Sequence, residues 1–242
     1  VAYRVWIEQQ QAGLDATVGR ASDRRRKADE LINNARFIAQ RIENGINLLA
    51  QDAQALDAFK VANASMAAAN RQRSAFSSAG KVSDPAWRPF QLAFVLQSLL
   101  GIAQPEHEDR ERVELLFFPT GGGKTEAYLG LAAFTMVLRR LRNPGEPAYA
   151  GVSVLMRYTL RLLTIDQLGR AAGLVCALEL EREKRTDLGS MPFEVGLWVG
   201  SAATPNILGS AAQKGEYTAL GKVAAFRDDG KTLPIPIESC PW

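Results

Sequence analysis

Val113-Glu114-Leu115-Leu116-Phe117-Phe118-Pro119-Thr120-Gly121-Gly122-Gly123-Lys124-Thr125 is the stretch that decides how this chain is read. Its apolar run, from Val113 through Phe118, predicts a buried strand, and the run feeds straight into three glycines. Lys124 to Arg142 then reads as a helix stopped by Asn143-Pro144-Gly145. Strand, glycine loop and helix in that order form a cradle for phosphate. Successive backbone N–H groups at a helix N-terminus can satisfy a multiply charged anion, and glycines let the backbone come close. Gly121, Gly122 and Gly123 form the expected turn, preceded by Thr120. Lys124 is expected to reach the β and γ phosphates, and the Thr125 hydroxyl to hold the Mg²⁺ that bridges them. The strict pattern asks for glycine at position 118, where this chain has Phe118. Glu126 follows inside the first helical turn and is not expected to act as a base.

Downstream, Val152 to Met156 predicts a second short strand and Thr164 to about Arg185 a second helix, with Leu168, Ala171, Ala172, Val175 and Leu178 at helical spacing. Phe193, Val195, Leu197 and Val199 alternate strictly, as a third strand should. Strands separated by helices imply parallel pairing with right-handed crossovers, so the fold expected is an α/β parallel sheet with helices on both faces. Upstream, the chain from Val1 to about Arg73 has no proline and is dominated by Ala, Gln, Arg and Leu, which predicts one or two long amphipathic helices. Their apolar stripe is expected at Leu31, Ala35, Ile38, Ile42 and Leu49, with Arg36, Gln40, Arg41 and Glu43 on other faces. The basic cluster Arg20, Arg24, Arg25, Arg26 and Lys27 reads either as a solvated face or as a phosphate contact. Residues 76–85, rich in Ser and Gly and closing on Asp84-Pro85, mark a linker. A short helix around Leu92 to Leu100 and an acidic loop with an exposed His107 follow. Three divisions result: a helical segment over 1–80, an incomplete nucleotide-binding lobe over 81–209, and an irregular tail over 210–242.

The chain's 242 residues are 47% hydrophobic and 23% charged, a globular balance. A net charge of +3 suits a polyanionic partner without requiring one. Cys176 and Cys240 are far apart, and Cys176 lies in an apolar run, so a buried thiol and a reducing cytoplasm are expected rather than a disulfide framework. Apolar stretches are interrupted well before the ~18 residues a membrane span needs. The start at Val1-Ala2-Tyr3, without Met, reads as a segment of a longer polypeptide.

Phe118-Pro119-Thr120-Gly121-Gly122-Gly123-Lys124-Thr125-Glu126 resembles motif I of the superfamily 2 helicases, whose N-terminal lobe has a RecA-like parallel sheet. Arg88-Pro89-Phe90-Gln91 looks like the element that reads adenine in those proteins, which implies that Arg88 and Gln91 contact the nucleotide; otherwise the four residues are a helix start with proline in its first turn. The segment from Val154 to Thr164 occupies the place of motif Ia, making Arg157, Thr159 and Arg161 candidates for nucleic-acid phosphate contacts, or else a capped helix start with solvated arginines. Thr204, in Gly200-Ser201-Ala202-Ala203-Thr204-Pro205-Asn206, is similar to a Thr-Pro element of the same superfamily. Over about residues 86 to 206 the motifs together resemble the helicase subunit of the DISARM antiphage-defence system. That resemblance implies ATP and Mg²⁺ as cofactors, nucleic acid as partner with DNA favoured over RNA, a protein partner in a defence complex, and no membrane. It also makes Cys240-Pro241 similar to the first half of a zinc knuckle, with Cys240 a zinc ligand in a longer parent.

Hydrolysis in this class needs an acidic pair at the end of a later strand and arginines from a second lobe; loss of an arginine finger alone costs ~10³–10⁵ in rate. Asp29-Glu30 falls in the N-terminal helices, and Asp228-Asp229 has no apolar strand before it. The segment is therefore expected to bind ATP without hydrolysing it alone. Two other classes stay open: a phosphate-loop protein that is not a translocase, such as a nucleotide switch or kinase, and a helical interaction module with a loop that binds nothing.

Overall fold

In the computed structural model the placement of residues 2–18, 23–77, 84–119, 121–145, 148–158, 161–199, 205–210, 212, 217–230, 233–234 and 240–242 is described. Among them are seven α-helices: α1 (Ala2–Val18), α2 (Asp23–Gln51), α3 (Ala53–Ser77), α4 (Pro89–Ala103), α5 (Lys124–Arg142), α6 (Arg161–Arg182) and α7 (Ala219–Asp229), with a 3-10 turn at Glu108–Glu111.

The expected RecA-like parallel sheet is overturned, because the described residues contain no strand and no sheet. Residues 113–118, 152–158 and 193–199 run without regular structure. The physical reason is that alternation in a sequence fixes which side chains share a face but supplies no neighbour, whereas a helix closes its own hydrogen bonds locally. In the first of these segments Val113, Leu115 and Phe117 are 96%, 88% and 90% exposed, so the apolar run predicted to be buried faces outward.

The chain divides into two units. The first comprises Val1–Ala67, Asp84–Val154 and Asp187–Gly189. Here α1 and α2 run antiparallel, since the partners retreat along α2 as α1 advances: Arg4 pairs with Glu43 at 2.5 Å, Glu8 with Arg36 at 3.1 Å, and Asp15 with Arg25. Ile7, Leu14, Ile32 and Ala39 form the apolar seam between them. The stripe on α2 is therefore not the expected one. Ile32, Ala39, Arg41, Gly45 and Leu48 are buried, while Leu31 is 58% exposed. Arg41, expected on a face other than the apolar stripe, lies inside.

Asp52 is the single residue between α2 and α3. Its carboxylate accepts from the Ala55 N–H at 2.9 Å and from Arg142 of α5 at 2.5 Å. Burial alone would raise the Asp52 carboxyl, but these two donors outweigh it and hold it below its ordinary value. Helix α2 approaches α4 so closely at Gly45 that a Cβ there would fall 2.0 Å from the Leu96 carbonyl oxygen. Helix α5 buries Ala127, Leu129, Ala133, Phe134, Val137 and Leu138, and its Gly130 admits the Trp87 ring, whose indole N–H donates to Asn63 at 2.5 Å.

The second unit comprises Ala68–Ser83, Leu155–Thr186 and Ser190–Trp242. Helix α6 buries Leu168, Ala172, Leu174, Ala177 and Leu178. The tail expected to be irregular contains α7, capped by the Thr218 hydroxyl accepting from Gly221 N–H at 3.1 Å and closed by Gly230 in the left-handed region. Among the described residues no helix is long and apolar enough to cross a membrane.

Candidate nucleotide-binding site

The glycine loop stands at the N-terminus of α5. Gly122 N–H donates to the Pro119 carbonyl at 3.1 Å, closing a turn, and Gly121 and Gly123 take φ of 77° and 90°, where a side chain is strained. Gly123 caps α5 in this conformation, and a Cβ there would fall 2.6 Å from Gln91 Nε2. Lys124 and Thr125 are the first two residues of the helix.

Helix α4 holds the loop from the side. Arg88 Nη1 donates to the Gly122 carbonyl at 2.8 Å, and Gln91 Nε2 to the Gly123 carbonyl at 2.7 Å. The other end of the Gln91 amide accepts from the Arg88 backbone N–H at 2.8 Å. Gln91 is only 4% exposed, so its amide ties the start of α4 to the loop. In a planar trans peptide the carbonyl and the following N–H point in opposite directions. Gly122 and Gly123 direct their carbonyls toward α4, so the N–H groups of Gly123 and Lys124 point away from it. Both N–H groups lie at the N-terminus, the positive end, of a 19-residue helix.

Lys124 Nζ donates back to the carbonyls of Phe118 at 2.5 Å and Pro119 at 3.2 Å. An incoming phosphate would have to draw the ammonium off those oxygens. Phe118, which stands where the strict pattern has glycine, stacks on Phe90 of α4 with ring centroids 3.9 Å apart and planes inclined by 11°. Its ring also crowds Gly122, where a Cβ would lie 2.7 Å from Phe118 Cδ1.

Arg88, Gln91, Gly121, Gly122, Gly123, Lys124 and Thr125 thus gather in one place, while Thr120 lies outside the described residues. The candidates for nucleic-acid contact fall largely outside the described residues. Arg157 is exposed in the second unit, Thr159 and Thr204 lie outside the described residues, and Arg161 begins α6 with its side chain outside them too. Of the basic cluster, Arg20 lies outside the described residues, while on α2 Arg25 pairs with Asp15 and Asp29, Arg26 with Asp23, and Lys27 with Glu30, which fits the solvated-face alternative for these.

Cys240 is exposed. The Cys176 thiol is raised, by burial first and by the nearby Cys240 second. Among the described residues no group of three or more His, Cys, Asp or Glu side chains is arranged to hold a metal. His107, expected to be exposed, is partly covered and caps the 3-10 turn, its Nδ1 accepting from the Asp109 N–H at 3.1 Å. Sequence reasoning missed the Phe90–Phe118 stack and the burial of Arg41. The aromatic at position 118, where a small residue is expected, was the available signal for the first.

The architecture defines a helical protein with a glycine-rich, lysine-bearing turn at a helix N-terminus. No protein-family model matches the chain. In a match 208 positions long that covers 81% of this chain, it is 39% identical to the DISARM protein DrmA of Bacillus paralicheniformis. The chain spans about a fifth of that relative, the matched part being 19% of the relative's length.

Proposed function

We propose that this chain is the Mg²⁺-ATP-binding segment of a larger cytoplasmic antiphage-defence protein that moves on or remodels nucleic acid, DNA in preference to RNA, together with protein partners. The observation that carries the reading is the convergence of Arg88 and Gln91 on the carbonyls of Gly122 and Gly123. The two residues picked out as an adenine-contacting element and the loop picked out for phosphate meet across 34 and 32 residues of sequence. Gly123 and Lys124 supply N–H donors to the phosphates, Lys124 a mobile cation, and Thr125 a hydroxyl for Mg²⁺. Similarity to DrmA supports the defence role, and Arg157, Thr159, Arg161 and Thr204 are the residues proposed to touch nucleic-acid phosphates. A second reading, a helical interaction module whose loop binds nothing, is favoured by Lys124 resting on two carbonyls of its own chain.

Displacement of a fluorescent ATP analogue by ATP and by GTP separates the two. The proposed function predicts displacement by ATP at concentrations about tenfold lower than GTP, the scale of one net hydrogen bond of roughly 1 kcal/mol, and loss of that preference in Gln91→Ala. Equal displacement by both nucleotides, unchanged in Gln91→Ala, would remove Gln91 from base recognition. No binding of the analogue would favour the second reading.

A further inference from the structure

The segment that leads into the loop, Val113 to Phe118, has no backbone ladder among the described residues, so something other than a sheet must fix it. Alternate side chains divide it. Val113, Leu115 and Phe117 face outward, while Glu114 and Leu116 are partly covered. Glu114 meets Arg41 of α2, whose Nη2 lies 2.5 Å from Glu114 Oε1. The Arg41 Nε donates at 2.9 Å to Asp109, which also accepts from Arg112 Nε at 3.0 Å. One guanidinium therefore spans two carboxylates five positions apart in sequence, and the Arg41 and Asp109 side chains are 5% and 3% exposed.

The framework behind this fork is stiff. Gly101 of α4 abuts Asp109, where a Cβ would come within 3.1 Å, and Gly45 seats α2 on α4 one helical turn beyond Arg41. The Phe37 ring lies beneath both guanidinium groups, 5.7 Å from Arg41 Cζ and 4.9 Å from Arg112 Cζ. Burial would lower the Arg41 guanidinium, but Glu114 and Asp109 outweigh it and the net direction is upward, so the fork stays charged. At the other end of the lead-in, the Phe118 ring is stacked on Phe90 and its carbonyl receives Lys124.

We propose that Arg41, acting through Glu114, is a positioning residue for the nucleotide loop, setting one end of the lead-in segment while the Phe90–Phe118 stack sets the other. The N-terminal helices are then part of the nucleotide site's support, and a partner that shifts α2 would change affinity for nucleotide. This rests on the nucleotide-binding reading above. It does not require Arg41 to touch the ligand.

The test is Mg²⁺-ATP affinity of this chain by calorimetry, with the thermal unfolding midpoint recorded for each variant. Glu114→Gln removes the charge at a site that is 24% exposed, so the fold is expected to survive with a midpoint close to wild type. Affinity should fall about tenfold, as expected when a charge-assisted contact that fixes geometry is lost. Arg41→Lys should fall similarly, because one ammonium cannot span both carboxylates, and the double variant should be little weaker than either single one. Wild-type affinity in Glu114→Gln, whatever happens to the midpoint, would overturn the proposal and leave the pair structural. Additive losses in the double variant would overturn it too. Should Arg41→Lys not fold, Glu114→Gln alone decides. Absence of binding by the wild type would be a separate result, against the nucleotide reading itself.

Discussion

Gly123 carries two independent demands. Its φ of 90° is strained for any residue with a Cβ, and the space a Cβ would take is held by the Gln91 amide nitrogen at 2.6 Å. Gly123→Ala therefore has to relax both the loop and the Gln91 bond to it. The backbone term alone is roughly 1–2 kcal/mol, and the displaced hydrogen bond adds about 1 kcal/mol. The expected result is a thermal unfolding midpoint lowered by several degrees, with nucleotide binding lost or greatly weakened. A midpoint equal to wild type would mean that the loop adopts some other conformation in solution. At this scale the sequence was informative. The glycine triplet, Lys124, Arg88 and Gln91 could be picked out as candidates from a few local positions, and the structure places them side by side. What could not be read was which partners they take. Nothing in the string Arg-Pro-Phe-Gln says that the glutamine amide bridges its own helix start and a glycine carbonyl 32 residues on.

Between helices, the strongest constraint is the crossing of α2 and α4. Gly45 lets the Leu96 carbonyl sit where any side chain would be, 2.0 Å from a Cβ. Gly45→Ala must push the helices apart and disturb the core they share, at a cost of about 1–3 kcal/mol or more. Gly13 in α1 is the matched control, because a Cβ there would meet nothing within 4 Å. Gly13→Ala should gain roughly 0.5–1 kcal/mol from helix propensity alone. Chemical denaturation of the two variants should thus move in opposite directions. A loss of stability in both would mean that neither helix packs as described.

Helices were the legible elements for the same reason that strands were not. Lys124 to Arg142 was predicted to the residue, since a helix is specified by its own caps and periodicity. The segments at 113–118 and 193–199 have the alternation of strands but need neighbours to become them. On α2 the buried face differs from the expected stripe because it includes Arg41, which the sequence pattern sets apart from the apolar positions. A guanidinium can be buried when two carboxylates meet it, and the partners Asp109 and Glu114 lie 68 and 73 positions away in sequence, beyond any local pattern. Helix α7 was missed although both of its caps, Thr218 and Gly230, were in plain view; its weak amphipathicity hid it.

For the molecule as a whole, the chain is helical among its described residues and similar to one part of DrmA, and Gln91 of α4 bonds to its glycine loop. Whether that loop takes a triphosphate decides the function proposed for the chain. Lys124 is the residue to remove, because its ammonium, which donates to the carbonyls of Phe118 and Pro119, is the cation proposed to meet the phosphates. The deciding measurement is calorimetric titration of Mg²⁺-ATP into the wild-type chain and into Lys124→Ala. The account predicts saturable one-to-one binding by the wild type and a loss of affinity of about a hundredfold or more in the variant, the scale of a charge clamp on phosphate. Equal heats for both proteins, or none from the wild type, would contradict it.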